Sequence, residues 1–380
     1  MTTPSGPQRL FLHVGLPKSG TSHLQGLLAE NRAALRGAGF VYPFVRPEGM
    51  FHAAVELRDQ GSLWGLSHEL TDGTWARLLA RVRSLPDATG LVSHEILAGA
   101  SEDVVDRVVR DTADLELHVV VTARDLVRQA AAHWQEEVKN GRPWSFREFE
   151  QVLFAAEESA DRELGFWRSQ DLLDVLRRWG RAVPAERLHL VTLPPPGGAS
   201  DLLQRRFEDA VGLPADVLPR GEEQEAVNAS LGVAEVALLR AAVEALDGRI
   251  AQPAYAEVVK RWFAQGRLGS AAGRRLQVPR ALAARLDDVA ACWVDDLPGI
   301  GLTVHGDLAD LVPAPPEEEG PHPDDVTVEE LWELTPGLLA DLLAEVARLR
   351  APVEDERGSA ADRHAPRFVR RRLPLRRRKA

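Results

Sequence analysis

The chain has 380 residues, of which 44% are hydrophobic and 27% charged, so it can bury a core and is not disordered as a whole. That length suits one large α/β domain or two small ones. The formal net charge of −11 hides an uneven distribution: residues 367–380 hold seven Arg, one Lys and no acid, leaving 38 basic against 57 acidic side chains, or −19, in the rest. An acidic body argues against broad nucleic-acid binding.

Residues 1–8 are polar and rich in Pro and Gly, as in a loose terminus. Arg9-Leu10-Phe11-Leu12-His13-Val14 reads as a buried strand. A turn, Gly15 to Gly20, leads into a helical pattern from Thr21, with Leu24, Leu27, Leu28 and Leu35 on one face. The pattern stops near Gly37 and Gly39. Further strands are predicted at Gly90–Ser93, Leu117–Thr122 and Leu188–Thr192, and helices around 71–83, 101–112, 125–140, 145–158 and 168–180. This alternation predicts an α/β fold whose parallel central sheet is covered by helices on both faces, a three-layer arrangement.

After Pro194-Pro195-Pro196-Gly197-Gly198 the sequence turns mainly helical. Asn228-Ala229-Ser230 reads as the cap of a helix that begins at Leu231. Residues 313–326 form an acidic, Pro-rich linker, 327–350 a single amphipathic helix, and 351–380 a basic tail expected to be disordered. One cysteine, Cys292, excludes an internal disulfide and a Cys-based zinc site. Residues 1–9 lack an apolar signal core and no uncharged apolar run reaches ~18 residues, so a cytoplasmic protein is expected. Only four of the 46 basic residues are Lys: Lys18, Lys139, Lys260 and Lys379. Each stands out against an Arg background.

The sharpest feature is the turn Pro17-Lys18-Ser19-Gly20-Thr21-Ser22, set between a strand and a helix. Successive backbone N–H groups at such a turn, with the helix N-terminus behind them, make an anion cradle. Gly20 lets the backbone approach an anion closely. Lys18 supplies a compact charge that a rigid guanidinium would not. The spacing is not that of a Walker A element, where Lys follows Gly directly; here Lys18 precedes Gly20 by two.

With its flanks, His13-Val14-Gly15-Leu16-Pro17-Lys18-Ser19-Gly20-Thr21-Ser22 resembles the phosphosulfate loop of sulfotransferases that use 3′-phosphoadenosine 5′-phosphosulfate (PAPS). The resemblance implies a P-loop NTPase-like fold within residues 1–312, with a nucleotide-binding half at about 9–212 and a helical acceptor-side portion at about 213–312. It implies that Pro17, Lys18, Ser19, Gly20, Thr21 and Ser22 wrap the 5′-phosphosulfate, with Lys18 stabilising the leaving phosphate. His23 stands where an aromatic residue often lies near the adenine. PAPS would be the co-substrate, with no metal.

The family's second signature is a strand ending in Arg, with a Ser eight residues on, both at the 3′-phosphate. Val119-Val120-Val121-Thr122-Ala123-Arg124 fits, but the Ser position holds Ala132. Arg124 is left as the main ligand, with Arg128, Gln129 or His133 as substitutes for the hydroxyl; the bland alternative pairs Arg124 with Asp125 or a neighbouring acid. Farther along the same helix, the resemblance implies acceptor contacts in the stretch Trp134-Gln135-Glu136-Glu137-Val138-Lys139-Asn140-Gly141, while Trp134 reads equally as core and Lys139 as a helix-end cap.

In-line sulfuryl transfer also needs a group to take the acceptor proton. Val92-Ser93-His94-Glu95 ends a strand, the side where ligands sit in a doubly wound sheet. Neighbours on an extended segment point oppositely, so at most one of His94 and Glu95 faces the sulfate; Glu95 is preferred, and His52 is a weaker candidate. The acceptor would be a small molecule or carbohydrate bearing a hydroxyl or amine. The nine Trp are read as packing before they are read as an acceptor site. The basic tail reads as a solvated segment folding against the acidic body, with membrane or polyanion contact the alternative. Two competing functions remain: a catalytically weakened nucleotide-binding or regulatory protein, which Ala132 favours, and a small-molecule P-loop kinase, which the Lys position disfavours.

Overall fold

The computed structural model describes residues 6–158, 165–220, 230–270, 273–313 and 320–350. Six parallel strands form one sheet in the order β2-β3-β1-β4-β5-β6. They are β1 (Arg9–Gly15), β2 (Phe40–Val41), β3 (Thr89–Ser93), β4 (Glu116–Ala123), β5 (Leu188–Thr192) and β6 (Thr303–His305). β1 lies between β3 and β4, with Leu10 beside Gly90 and Leu117. It is covered on both faces, which explains a nearly continuous apolar run, interrupted by His13, rather than an alternating one. The chain visits β2 and β3 on one side of β1 and then crosses to β4 on the other. The strand order therefore reverses around β1, and the C-terminal edge there is the expected ligand side.

Helices cover both faces. On one face α1 (Thr21–Glu30), α2 (Arg32–Gly37) and a helix at Leu202–Val211 bury Leu24, Leu27, Leu28, Leu35, Phe207 and Val211 against Phe11, Leu91, Val120 and Val191. Each such side chain contributes roughly 2 kcal/mol of apolar burial. On the other face the helix Thr74–Arg83 sits close to the sheet, because a Cβ at Gly90 would fall 2.7 Å from Val82 Cγ1. The helices named from here on are α3 (Leu126–Lys139), α4 (Phe146–Glu158), α5 (Val233–Leu246) and α6 (Val328–Arg350).

The strand–helix reading of 9–192 holds, with differences in detail. The helix expected over 21–37 breaks at Asn31, whose amide Nδ2–H bonds Leu27 O at 2.9 Å. The portion expected to be helical, 213–312, contributes the edge strand β6. Asn228 and Ala229 lie outside the described residues; α5 starts at Val233 after Gly232, and Ser230 Oγ bonds Gln135 Oε1 instead of capping. Part of the expected linker is tied to the body: Asp324 accepts the N–H groups of Phe146 and Arg147, both at 2.9 Å, and so caps α4. Residues 314–319 and the tail 351–380 lie outside the described residues.

The chain divides into two units, Met1–Leu334 and Thr335–Ala380. In the second, the described residues are the C-terminal part of α6, where Leu339, Leu343 and Leu349 are exposed. Among the described residues no helix is long and apolar enough to cross a membrane.

One polar seam crosses the sheet. Glu116, His118, His189, His305 and Asp209 are linked in series, at 3.0, 3.1, 3.2 and 2.6 Å. The seam ties β6 to β5 and β4 through side chains as well as backbone.

Candidate functional site at the C-terminal edge of the sheet

The loop after β1 is fixed from behind. Leu16 N–H bonds Thr122 O at 2.7 Å. Pro17 O accepts from the amides of Gln129 and, at 3.2 Å, Gln170. Arg124 Nη1 donates to Lys18 O at 3.2 Å. Ser19 is fully buried, and its hydroxyl contacts Leu16 O at 2.5 Å and Thr122 Oγ1 at 2.6 Å. The hydroxyl expected to hold phosphate oxygens is thus turned inward and holds the loop itself.

The front of the loop is left open. Gly20 has φ +81° and is the residue before α1; a Cβ there would also collide with Leu203. No side chain caps α1, so the first-turn N–H groups of Thr21, Ser22 and His23 have no intrahelical acceptor. Ser22 and His23 are exposed, while Thr21 is buried. Lys18 has φ +67°, a left-handed conformation that costs a non-glycine residue of order 1 kcal/mol or more. Strain of this kind is concentrated at functional sites.

Lys18 Nζ lies 2.6 Å from Glu136 Oε2, and Lys260 Nζ lies 2.6 Å from Glu136 Oε1. Burial pushes the Glu136 carboxyl up, but the two ammonium groups prevail and hold it down to about 2. Arg124 has a buried Nε with no hydrogen-bond partner among the described residues. Burial, with Arg128 close by, lowers its guanidinium to about 10 against the attraction of Asp125. The expected alternative, Arg124 paired with Asp125, is not the one formed: Asp125 takes Arg128 instead, and also caps α3.

No match to this chain appears among known protein families, curated proteins or solved structures. The site is therefore read from its own geometry.

Of the three residues considered as substitutes for a Ser at Ala132, Arg128 is engaged with Asp125 and Pro194 O, and Gln129 with the loop and Gln170. His133 packs between Phe149 and Phe166. Burial and the nearby Lys18 lower it to about 4. Trp134 is core, with its Nε1–H on Trp144 O at 3.2 Å. Lys139 does not cap α3: it is buried, and its ammonium has no hydrogen bond or ion pair among the described residues.

His94 and Glu95 do not diverge as expected. The strand ends at Ser93, and the chain turns into a short 3₁₀ helix at Glu95, so strand alternation no longer applies. His94 Nδ1 and Glu95 Oε2 come within 3.9 Å. Gln25 of α1 donates to Glu95 at 2.8 Å. Burial pushes Glu95 up, yet His94, the Gln25 bond and Lys18 together bring it below the usual carboxylate range. His94 Nδ1 accepts the Ile96 N–H at 3.4 Å, and burial lowers its titration. His52 lies on the helix Gly49–Arg58 with Arg46 and Glu48 as its charged neighbours, and burial lowers it too.

Two contributors were given no individual role from sequence, Glu136 and Lys260. A signal for Glu136 existed: Gln129, His133, Glu136 and Asn140 recur at helical spacing, a polar stripe along a largely buried helix.

Proposed function

We propose that the chain is a sulfotransferase of P-loop type that transfers a sulfuryl group from PAPS to a hydroxyl or amine of a small-molecule or carbohydrate acceptor. The observation that carries this reading is the loop at 15–22, fixed from behind and uncapped in front, with Lys18 and the orphaned Arg124 Nε beside it. Backbone N–H groups of α1 suit the 5′-phosphosulfate, and Arg124 suits the 3′-phosphate. The ionised Glu95 suits the role of base.

In this reading a lone pair on the acceptor oxygen or nitrogen forms the new bond to sulfur as the bond from sulfur to the bridging oxygen breaks. The acceptor proton passes to Glu95, and the electron pair of the broken bond leaves with adenosine 3′,5′-bisphosphate. Lys18 offsets the charge that grows on that departing phosphate, exchanging Glu136 for it. Glu136 thus keeps Lys18 in place before the nucleotide arrives.

One observation favours a second reading, a nucleotide-binding protein with weak or no turnover: at Ala132 no hydroxyl replaces the expected Ser, and its neighbours Arg128 and Gln129 are engaged elsewhere. Calorimetry with adenosine 3′,5′-bisphosphate against ATP tests both readings at once. Selective binding of the bisphosphate is expected; preference for ATP overturns both. PAPS consumption with an acceptor panel then separates them.

A further inference from the structure

Three of the chain's four lysines meet at one place. Lys18 and Lys260 both contact Glu136, and Lys260 Nζ also donates to Asn140 Oδ1 at 2.8 Å. Lys139, one turn beyond Glu136 on α3, is 6% exposed and has no ion pair or hydrogen bond among the described residues. The adjacent acid, Glu137, is taken by Arg142 at 2.9 Å. Two ammonium groups thus share one carboxylate while a third, Lys139, stands one turn away without a partner among the described residues, a local surplus of two positive charges inside a body of −19. Burial, and repulsion from Lys18 and Lys260, lower Lys139 to about 8 despite Glu136.

A second orphan packs on the segment that follows Lys139. The Tyr255 hydroxyl is buried without a hydrogen-bond partner among the described residues. Its ring packs against Gly141, where a Cβ would sit 3.3 Å from the hydroxyl oxygen. Gly141 follows Asn140, the partner of Lys260, and Tyr255 directly precedes the π-helix Ala256–Gln265 that carries Lys260. π-helical segments are rare and are found most often at functional sites. Lys139 stands two residues before Gly141, against which the Tyr255 hydroxyl packs. An unpaired ammonium and an unpaired hydroxyl donor each want an acceptor carrying negative charge.

We propose that Lys139, Lys260 and the Tyr255 hydroxyl bind a carboxylate or sulfate group carried by the acceptor substrate, next to the loop. Calling that molecule the acceptor rests on the sulfuryl-transfer reading; the anion site itself does not. It explains why lysine stands here in a chain that elsewhere uses arginine: compact ammonium groups can share one small anion where guanidinium forks would crowd it.

With only four lysines, protein labelled with carbon-13 at lysine Cε gives four signals, assigned by single Lys→Met variants. Sodium sulfate is the probe, titrated against chloride at constant ionic strength, with and without adenosine 3′,5′-bisphosphate. The Lys139 and Lys260 signals are expected to shift saturably in both conditions, with the Lys139 titration midpoint rising. Lys260→Met and Tyr255→Phe are each expected to weaken sulfate about tenfold. Tyr255→Phe removes one oxygen and keeps the test available should Lys260→Met fail to fold. The proposal is overturned if Lys139 and Lys260 respond no more than Lys379, if both variants bind sulfate like the wild type, or if the bisphosphate abolishes the response, which would make this part of the nucleotide's own site. Failure of the bisphosphate to bind sinks the sulfuryl-transfer reading alone, since the sulfate response still decides the anion site.

Discussion

Three imidazoles inside the body, His13, His133 and His189, are each held down to about 4, with burial the leading cause. His13 sits in the middle of β1, its Nδ1 2.8 Å from Ser93 Oγ and its Nε2 3.1 Å from Thr122 Oγ1. In the unfolded chain each returns to about 6.5. Between those two values the unfolded chain binds more protons, so acid favours unfolding. Stability is full above about pH 6.5, falls as the pH drops towards 4, and is level below that. For one such group, going from about pH 7 to about pH 5 removes about 2 kcal/mol. Three remove about 6 kcal/mol, which rivals the whole stability of an ordinary domain. The His13→Asn variant keeps a donor and an acceptor towards the two hydroxyls and deletes one titration. Urea unfolding followed by tryptophan fluorescence at the two pH values gives the loss directly. The variant is expected to lose about 2 kcal/mol less than the wild type, whatever its stability at neutral pH. Equal losses in both proteins would refute the assignment of His13 as a buried neutral imidazole.

The other predictions concern the loop and the sheet edge. Lys18→Ala is expected to lower PAPS turnover by about a hundredfold or more, as removal of a transition-state donor does, and wild-type kinetics would remove the loop from the chemistry. Arg124→Met should weaken adenosine 3′,5′-bisphosphate by one to two orders of magnitude, roughly the worth of a charge-assisted bond, but leave adenosine 5′-phosphate unchanged. Equal weakening of both nucleotides in calorimetry would place Arg124 elsewhere. Glu95→Gln should keep bisphosphate affinity and lose transfer, while His94→Ala should retain much of the rate, because His94 Nδ1 is engaged with Ile96 N–H. Full turnover in both variants moves the base to another residue.

The central strands were legible because burial on both faces writes them as nearly continuous apolar runs, as in Leu10–Leu12 and Val119–Val121. The edges were not: β2 has two residues and β6 three, too short for any period to register. The strand-to-helix loop was legible for a different reason, since Pro17, Lys18 and Gly20 serve local backbone demands that leave a local mark. What sequence order conceals is which buried polar groups the fold consumes. Ser19 and Gln129 look available in the chain, yet both are used to hold the loop. His94 and Glu95 were expected to diverge, and converge because the strand stops one residue earlier than the alternation rule needs.

The lysines show how a compositional oddity becomes structural. Lys18, Lys139 and Lys260 are separated by more than a hundred residues in two steps, on a loop, the end of α3 and a π-helix. No periodicity links them. Yet in a body of −19 an anionic nucleotide or acceptor is repelled at long range, and attraction must come from charges placed within a few ångströms of the ligand, where they outweigh a screened distant field. A single Lys18 paired with Glu136 is nearly neutral and gathers no anion. Lys260 on the same carboxylate and Lys139 one turn away leave a positive surplus, so in the proposed reading the cluster as a whole, rather than the loop lysine alone, would oppose the repulsion of the acidic body.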